Sequence, residues 1–249
     1  GYSAENEKRF VRAVVRDING FFEKITADTV YFGGGTPSLL SPESIEKIME
    51  ALGSRFELNL PEVTLEANPS TVYKHKLSLY KQAGVNRLSF GVQSANDDEL
   101  KLLGRLHTFK KAAAAVYDAY SCGFENISCD IMTGLPGQTK DKLKNSIDSI
   151  CGLPVTHISS YILKAEPGTP FYNEKIISSL PDDDMAASLY LFMADRLEQN
   201  GFLQYEISNF SKKGFESRHN LKYWRCEEYI GFGPSAHSYF NGKRYFFPP

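Results

Sequence analysis

Cysteine is scarce in this chain, and no charge of either sign dominates. Four cysteines occur in 249 residues. They are Cys122, Cys129, Cys151 and Cys226, and no two are separated by only two or three residues. That spacing excludes a local metal-binding pair and suits small buried hydrophobes in a reducing compartment, so a cytoplasmic setting is expected. Lysine and arginine number 28 against 30 acidic residues, a net charge of -2, which leaves no electrostatic footprint for nucleic acid. No apolar run is long enough to cross a bilayer as a helix. There is no internal repeat beyond a strand–helix alternation and no low-complexity segment. Tryptophan occurs once, against 14 Tyr and 17 Phe. That aromatic content suits a pocket for a flat ligand and simple packing equally.

What is present is ordinary in bulk and specific in order. Hydrophobic residues make up 42% and charged residues 23%, as in a soluble globular protein of one large domain or two small ones. A helix is expected over 6–22, from Phe10, Val14, Val15 and Ile18 at helical spacing. Strand-like runs follow at 29–33, 62–68, 86–94, 125–133 and 156–163. Helical stripes lie between them, for example Ile45, Ile48, Met49 and Leu52 behind Ser41-Pro42-Glu43. One strand and one helix recur every 25–40 residues, which predicts a parallel sheet with helical crossovers. After about residue 164 the rhythm changes. A turn is expected at Glu166–Pro170, a long helix over 183–199, and then a polar, aromatic stretch. The division expected is therefore 1–164, a barrel core, and 165–249, the end of that barrel and the start of a further region. The chain begins almost inside a helix and stops at Phe247-Pro248-Pro249, so it is expected to be a piece of a longer protein.

The strands alternate. Leu88, Phe90 and Val92 oppose Ser89, Gly91 and Gln93; Val63, Leu65 and Ala67 oppose Thr64, Glu66 and Asn68; Ile127, Cys129 and Ile131 oppose Ser128, Asp130 and Met132. A parallel strand covered on both faces is apolar on both. One polar face fits an antiparallel sheet with one wet side, but with helices between the strands it points to a curved parallel sheet with helices outside and a polar, ligand-filled concave side, where Glu66, Gln93 and Asp130 fall by parity. Tyr31-Phe32-Gly33-Gly34-Gly35-Thr36-Pro37-Ser38 adds a glycine loop at a strand's C-terminal end, where α/β proteins bind ligands. Alone, that loop fits a close-approach ligand site, a phosphate site or a strained turn. No lysine follows within it, against a P-loop.

These segments, taken in order, resemble radical S-adenosylmethionine (SAM) proteins of the HemN/HemW group. The resemblance rests on Phe32–Ser38, Leu65-Glu66-Ala67-Asn68-Pro69, Arg87–Ser94, Leu103-Gly104-Arg105 and Asp130–Thr139, and spans about 30–240. His219-Asn220-Leu221-Lys222-Tyr223-Trp224 and Gly231–Ser238 are similar to motifs of its heme-chaperone branch. The resemblance implies an open, partial (β/α)6 radical-SAM barrel, TIM-like, with a truncated C-terminal extension. It implies that the Gly34-Gly35-Thr36 backbone meets the SAM amino group and that Glu66 and Asp130 hold amino or ribose groups. It further implies that Gln93 lines the cofactor and Arg105 grips its carboxylate. Heme is the implied ligand of His219, with Asn220, Tyr223 and Trp224 beside it. The bland alternative is a histidine that hydrogen-bonds within a structured loop. His237 is a second candidate; His75, His107 and His157 read as structural or solvated.

The family binds a [4Fe–4S] cluster through a Cys-x-x-x-Cys-x-x-Cys loop, which this chain lacks. The loop is expected upstream, the alternative being that this protein has lost it, and this segment alone is not expected to cleave SAM. Two functions follow from the resemblance. One is a heme chaperone that passes heme to recipient proteins, at a membrane or away from one. The other is an oxygen-independent coproporphyrinogen III oxidase, which converts propionates to vinyl groups by radical decarboxylation.

Overall fold

The computed structural model describes residues 3–169 and 171–248. The elements run α1 Ala4–Asn19, β1 Thr26–Phe32, a 3-10 turn Pro37–Leu39, α2 Pro42–Arg55, β2 Glu57–Ala67, α3 Lys74–Gln82, β3 Arg87–Gln93 and α4 Asp97–Leu102. They continue with α5 Phe109–Ser121, β4 Asn126–Thr133, α6 Lys140–Cys151, β5 His157–Ile162, α7 Glu174–Ile177 and α8 Asp183–Gln199. Last come β6 Leu203–Gln204, β7 Asn209–Ser211, α9 Arg218–Trp224, β8 His237–Phe240 and β9 Lys243–Phe246. The first seven strands are ordered β1-β2-β3-β4-β5-β7-β6, and β8 and β9 form a separate hairpin. The expected strand–helix alternation is present. The edge β5-β7-β6 is antiparallel, which the spacing of the parallel units does not foretell.

Two compact units divide the chain. One comprises Gly1–Glu66, His75–Arg87 and Ser217–Pro249; the other comprises Ala67–Lys74 and Leu88–Glu216. The C-terminal stretch from Ser217 belongs with β1 and β2.

In the first unit, β1 and β2 are parallel, with Thr29 opposite Glu62 and Tyr31 opposite Thr64. Helices α1 and α2 cover them through Val11, Val14, Ile18, Ile48 and Leu52, with Phe56 just after α2 in the same cluster. The helix α1 is capped by the Ser3 hydroxyl and ends at Asn19, not at 22. Gly20 stops it, and Phe21 leaves the helix to pack its ring on Phe56 and Phe232. The stretch after 217, left without elements by its polar sequence, folds as α9 and the β8–β9 hairpin.

In the second unit, β4 and β5 pair in parallel, with Ser128 opposite His157 and Asp130 opposite Ser159. Ile127, Cys129, Ile131 and Ile158 are wholly buried on one face. On the other face, Ser128 Oγ lies 2.7 Å from His157 Nδ1, and His157 Nε2 lies 2.8 Å from the Tyr205 hydroxyl. His157 is thus structural, as is His107, whose buried Nε2 lies 3.3 Å from the Val92 carbonyl. His75 is exposed. The helix α8 matches the expected 183–199 and is capped by Asp182. Thr169 N–H donates to the Glu166 carbonyl, so the expected turn is present up to Thr169, and Pro170 lies outside the described residues.

The cysteines are less uniform than expected. Cys129 is buried, Cys122 and Cys151 are half-buried, and Cys226, just after α9 at a left-handed φ of 53°, is exposed. No helix among the described residues is long and apolar enough to cross a membrane.

The helices α6 and α8 are joined by Arg196, whose Nε and Nη2 reach the Asp148 carboxylate at 2.7 and 2.9 Å. Arg196, with Lys144 beside it, draws the Asp148 pKa down to about 2. The pair therefore stabilises the fold above the ordinary carboxylate value of 3.8, and its contribution fades as pH falls toward 2. Arg196→Met is expected to cost about 1 kcal/mol in urea unfolding at pH 7, discounted for partial exposure. Equal midpoints for the two proteins would contradict this.

Candidate functional site

The glycine loop follows β1, and its three glycines do different work. A Cβ at Gly33 would fall 2.5 Å from Tyr31 Cε1 and 3.1 Å from Glu66 Oε1. Gly33 therefore makes room for the Tyr31 ring, not for a ligand. Gly34 and Gly35 adopt left-handed φ values of 80° and 63°, and a Cβ on either would meet nothing within 4 Å. These two leave open backbone that a ligand can approach. The Gly34 N–H donates to Glu66 Oε2 at 3.1 Å, and the Tyr31 hydroxyl donates to Glu66 Oε1 at 2.8 Å. With that N–H engaged, the loop and the Glu66 carboxylate suit a cationic amine better than an anion. Thr36 closes the loop, its carbonyl accepting from Leu39 N–H at 2.9 Å.

Helix α9 stands over the same strand pair. Ser217 caps it, and Glu62 of β2 accepts from the Arg218 N–H at 3.2 Å and the His219 N–H at 3.1 Å. Asp28 of β1 binds Lys222 at 2.8 Å and Arg218 at 3.3 Å. Burial alone would lower the Lys222 pKa, but its bonds to Asp28 and Glu227 push it up.

His219 is half-buried, not exposed as its polar setting suggests. Its Nδ1 lies 2.9 Å from Thr29 Oγ1 and its Nε2 lies 2.9 Å from the Tyr223 hydroxyl. The ring stacks on Tyr31 at 4.9 Å and 18°. Burial pulls its pKa down to about 4, with the positive charges of Lys222 and Arg87 acting in the same direction. The imidazole is therefore neutral at pH 7 and carries a lone pair.

Beside these groups lies a cavity of about 780 Å³, lined by Tyr31, Gly34, His219, Tyr223, Tyr229 and His237, with Phe10, Phe232 and Phe240 among its apolar walls. Its size and aromatic lining suit a small organic ligand. His219 and Tyr223, one turn apart on α9, both reach it, whereas Asn220 and Trp224 are absent from its walls. Exposed His237 also lines it and stacks on Phe246 at 5.5 Å.

The second unit holds the remaining candidates. Gln93 ends β3 at a left-handed φ of 76°, a conformation that few non-glycine residues adopt. Its buried amide folds over Gly91, where an added Cβ would lie 3.0 Å from Nε2 and 4.0 Å from Arg105 Nη1. Gly91 thus lets Gln93 and Arg105 approach the strand. Burial lowers the Arg105 pKa, and the negative charge of Asp130 partly offsets this. Asp130 accepts from the Ser89 hydroxyl at 3.3 Å.

The cysteines do not fit an iron–sulfur cluster. Cys129 is fully buried with its pKa raised well above the ordinary value, and burial pushes Cys151 to about 12. No group of three or more His, Cys, Asp or Glu is poised for a metal ion among the described residues.

Thr29, Tyr31 and Glu62 are site residues that the motifs do not name. Strand parity was the available signal: Thr29 and Tyr31 share a face of β1 with the glycine loop, and Glu62 shares a face of β2 with Thr64 and Glu66.

This chain belongs to the radical SAM superfamily, whose profile matches residues 5–150. A heme chaperone HemW of Bacillus subtilis (strain 168) is 46% identical over 220 residues, covering 87% of this chain and 58% of that protein. A mitochondrial radical S-adenosyl methionine domain-containing protein 1 of Bos taurus is 40% identical over 216 residues, covering 86% of this chain and 49% of that protein. Within the superfamily the chain falls in the HemN/HemW group. A solved coproporphyrinogen III oxidase, HemN from Escherichia coli, superposes with a TM-score of 0.82 over 96% of this chain and 59% of that one, at 21% identity. That likeness shows the fold, an open partial radical-SAM barrel. The chain spans about half to three fifths of the length of these proteins.

Two outcomes follow from this geometry. Gly33→Ala is expected to cost about 1–3 kcal/mol by displacing the Tyr31 ring, and much less in a Tyr31→Ala background. Equal losses in both backgrounds, measured by urea unfolding, would disprove the role given to Gly33. His219 protonates more readily in the unfolded chain, at its ordinary 6.5, than in the folded one, at about 4. Its burial therefore costs nothing above pH 6.5, costs progressively more as pH falls toward 4, and levels off below that. Relative to wild type, His219→Gln is expected to lose stability less steeply across that window. Parallel stability–pH curves would count against it.

Proposed function

We propose that this chain is part of a heme-handling radical SAM protein, which binds heme and passes it to recipient proteins in the cytoplasm or at a membrane. One observation carries this reading: a neutral imidazole, His219, is held among tyrosines at the wall of a cavity of about 780 Å³ in a chain related to heme chaperones. Neutral imidazole is the form that binds iron, and aromatic walls suit a flat macrocycle. Tyr223 and His219 act together, the phenol holding Nε2 until iron replaces it. Asn220 and Trp224 are assigned only supporting roles on α9, and exposed His237 is the alternative ligand from the same cavity.

SAM is the second ligand. When bound with a reduced cluster, it supplies a 5′-deoxyadenosyl radical. Gly34, Gly35 and Thr36 offer it open backbone, and Glu66 offers a carboxylate for its amine. In the second unit, Arg105 can pair with a carboxylate, Gln93 can line a ligand and Asp130 can accept from an amine or a hydroxyl. The [4Fe–4S] cluster is assigned no ligand in this sequence.

Hemin titration of the full-length protein, followed by Soret absorbance, tests the reading. Saturable one-to-one binding is expected, with His219→Ala weaker by roughly tenfold or more. Unchanged binding in that variant sinks the assignment of His219. Conversion of coproporphyrinogen III to protoporphyrinogen IX by the reconstituted protein would replace the chaperone reading with the oxidase.

A further inference from the structure

The heme reading turns on the His219 ring, and what aims that ring lies on the two strands beneath it. Thr29 and Glu62 are register partners across β1 and β2, so their side chains stand next to each other on one face. Glu62 is only 6% exposed. Its carboxylate takes the N–H of His219 at 3.1 Å, the N–H of Arg218 at 3.2 Å and the Ser217 hydroxyl at 3.4 Å. Both N–H groups sit in the first turn of α9, where no carbonyl of the helix can receive them. Thr29 meets the other end of the same residue, at Nδ1, at 2.9 Å. One strand thus grips the backbone of residue 219, and its neighbour grips the ring. Tyr31, two positions along from Thr29, closes the ring's flat side. Histidines that bind metals are commonly oriented in this way, by an oxygen on the nitrogen that does not bind.

Resting on the heme reading, we propose that Thr29 and Glu62 are positioning residues that aim His219 Nε2 at a heme iron. Nδ1 donates its proton to Thr29 Oγ1, which leaves the lone pair on Nε2. The Tyr223 hydroxyl donates to that lone pair until iron arrives. Binding exchanges the O–H···N bond for an Fe–N bond, and the ring neither gains nor loses a proton.

Nitrogen-15 NMR of the histidines and amide hydrogen exchange, both on the heme-free full-length protein at pH 7, test this without hemin. His219 is expected to carry its proton on Nδ1, and the Arg218 and His219 amides are expected to be protected. A proton found on Nε2 overturns the role of Thr29. Exchange of those two amides at the rate of an open chain overturns the role of Glu62, whether or not any variant folds. Thr29→Val and Glu62→Gln are each expected to weaken hemin binding about 10- to 100-fold, while Thr29→Ser restores both tautomer and affinity. Folded variants that take hemin as the wild type does would refute the proposal. Wild-type protein that takes no hemin defeats the heme reading, and the tautomer and amide exchange then decide the positioning of His219 separately.

Discussion

A carboxylate taken out of water has to find donors, and in the first unit that requirement fixes much else. Glu62 finds them in the first turn of α9. The strand pair and the C-terminal segment, separated by some 150 residues, become one unit because each supplies what the other lacks. The helix is only seven residues long and buries no residue fully, so it has little intrinsic stability. It persists because a buried anion and the ion pairs of Asp28 hold it against the strands. Replacing such a carboxylate leaves donors unpaired, which is why its influence reaches beyond its own contacts.

The same strands carry a continuous line of contacts. Gly34 N–H meets Glu66, Glu66 meets the Tyr31 hydroxyl, the Tyr31 ring stacks on His219, and His219 meets Tyr223. Residues assigned to SAM by motif and residues assigned to heme by motif are therefore separated by one side chain, Tyr31. Tyr31 belongs to neither motif, yet it touches both sets, and Gly33 is small so that it can.

Much of the fold was legible because it follows from periodicity. Strand runs, helical stripes and the switch from apolar to polar along each strand pointed to the β-strands β1 to β5 and the helices that follow them. Parity alone put Glu66, Gln93 and Asp130 on the polar face of their strands. The antiparallel strands β6 and β7 escaped because two or three residues carry no period. The C-terminal elements escaped because their stability comes from tertiary contacts, not from an apolar stripe. The setting of His219 was hidden for the same reason: a histidine among Arg, Asn and Lys looks solvated until Tyr31, Thr29 and Tyr223 are seen around it. The open backbone belongs to two glycines and not three, a distinction that depends on where the Tyr31 ring lies and that three identical letters conceal.

The one tryptophan of the chain ends α9 and is 56% exposed. Indole emission from this segment therefore has a single source, attached to the helix that presents His219. A fluorophore so placed makes the docking of α9 visible by spectroscopy without any label, at an element whose attachment depends on distant side chains. Light from Trp224 reports whether α9 is still seated on β1 and β2.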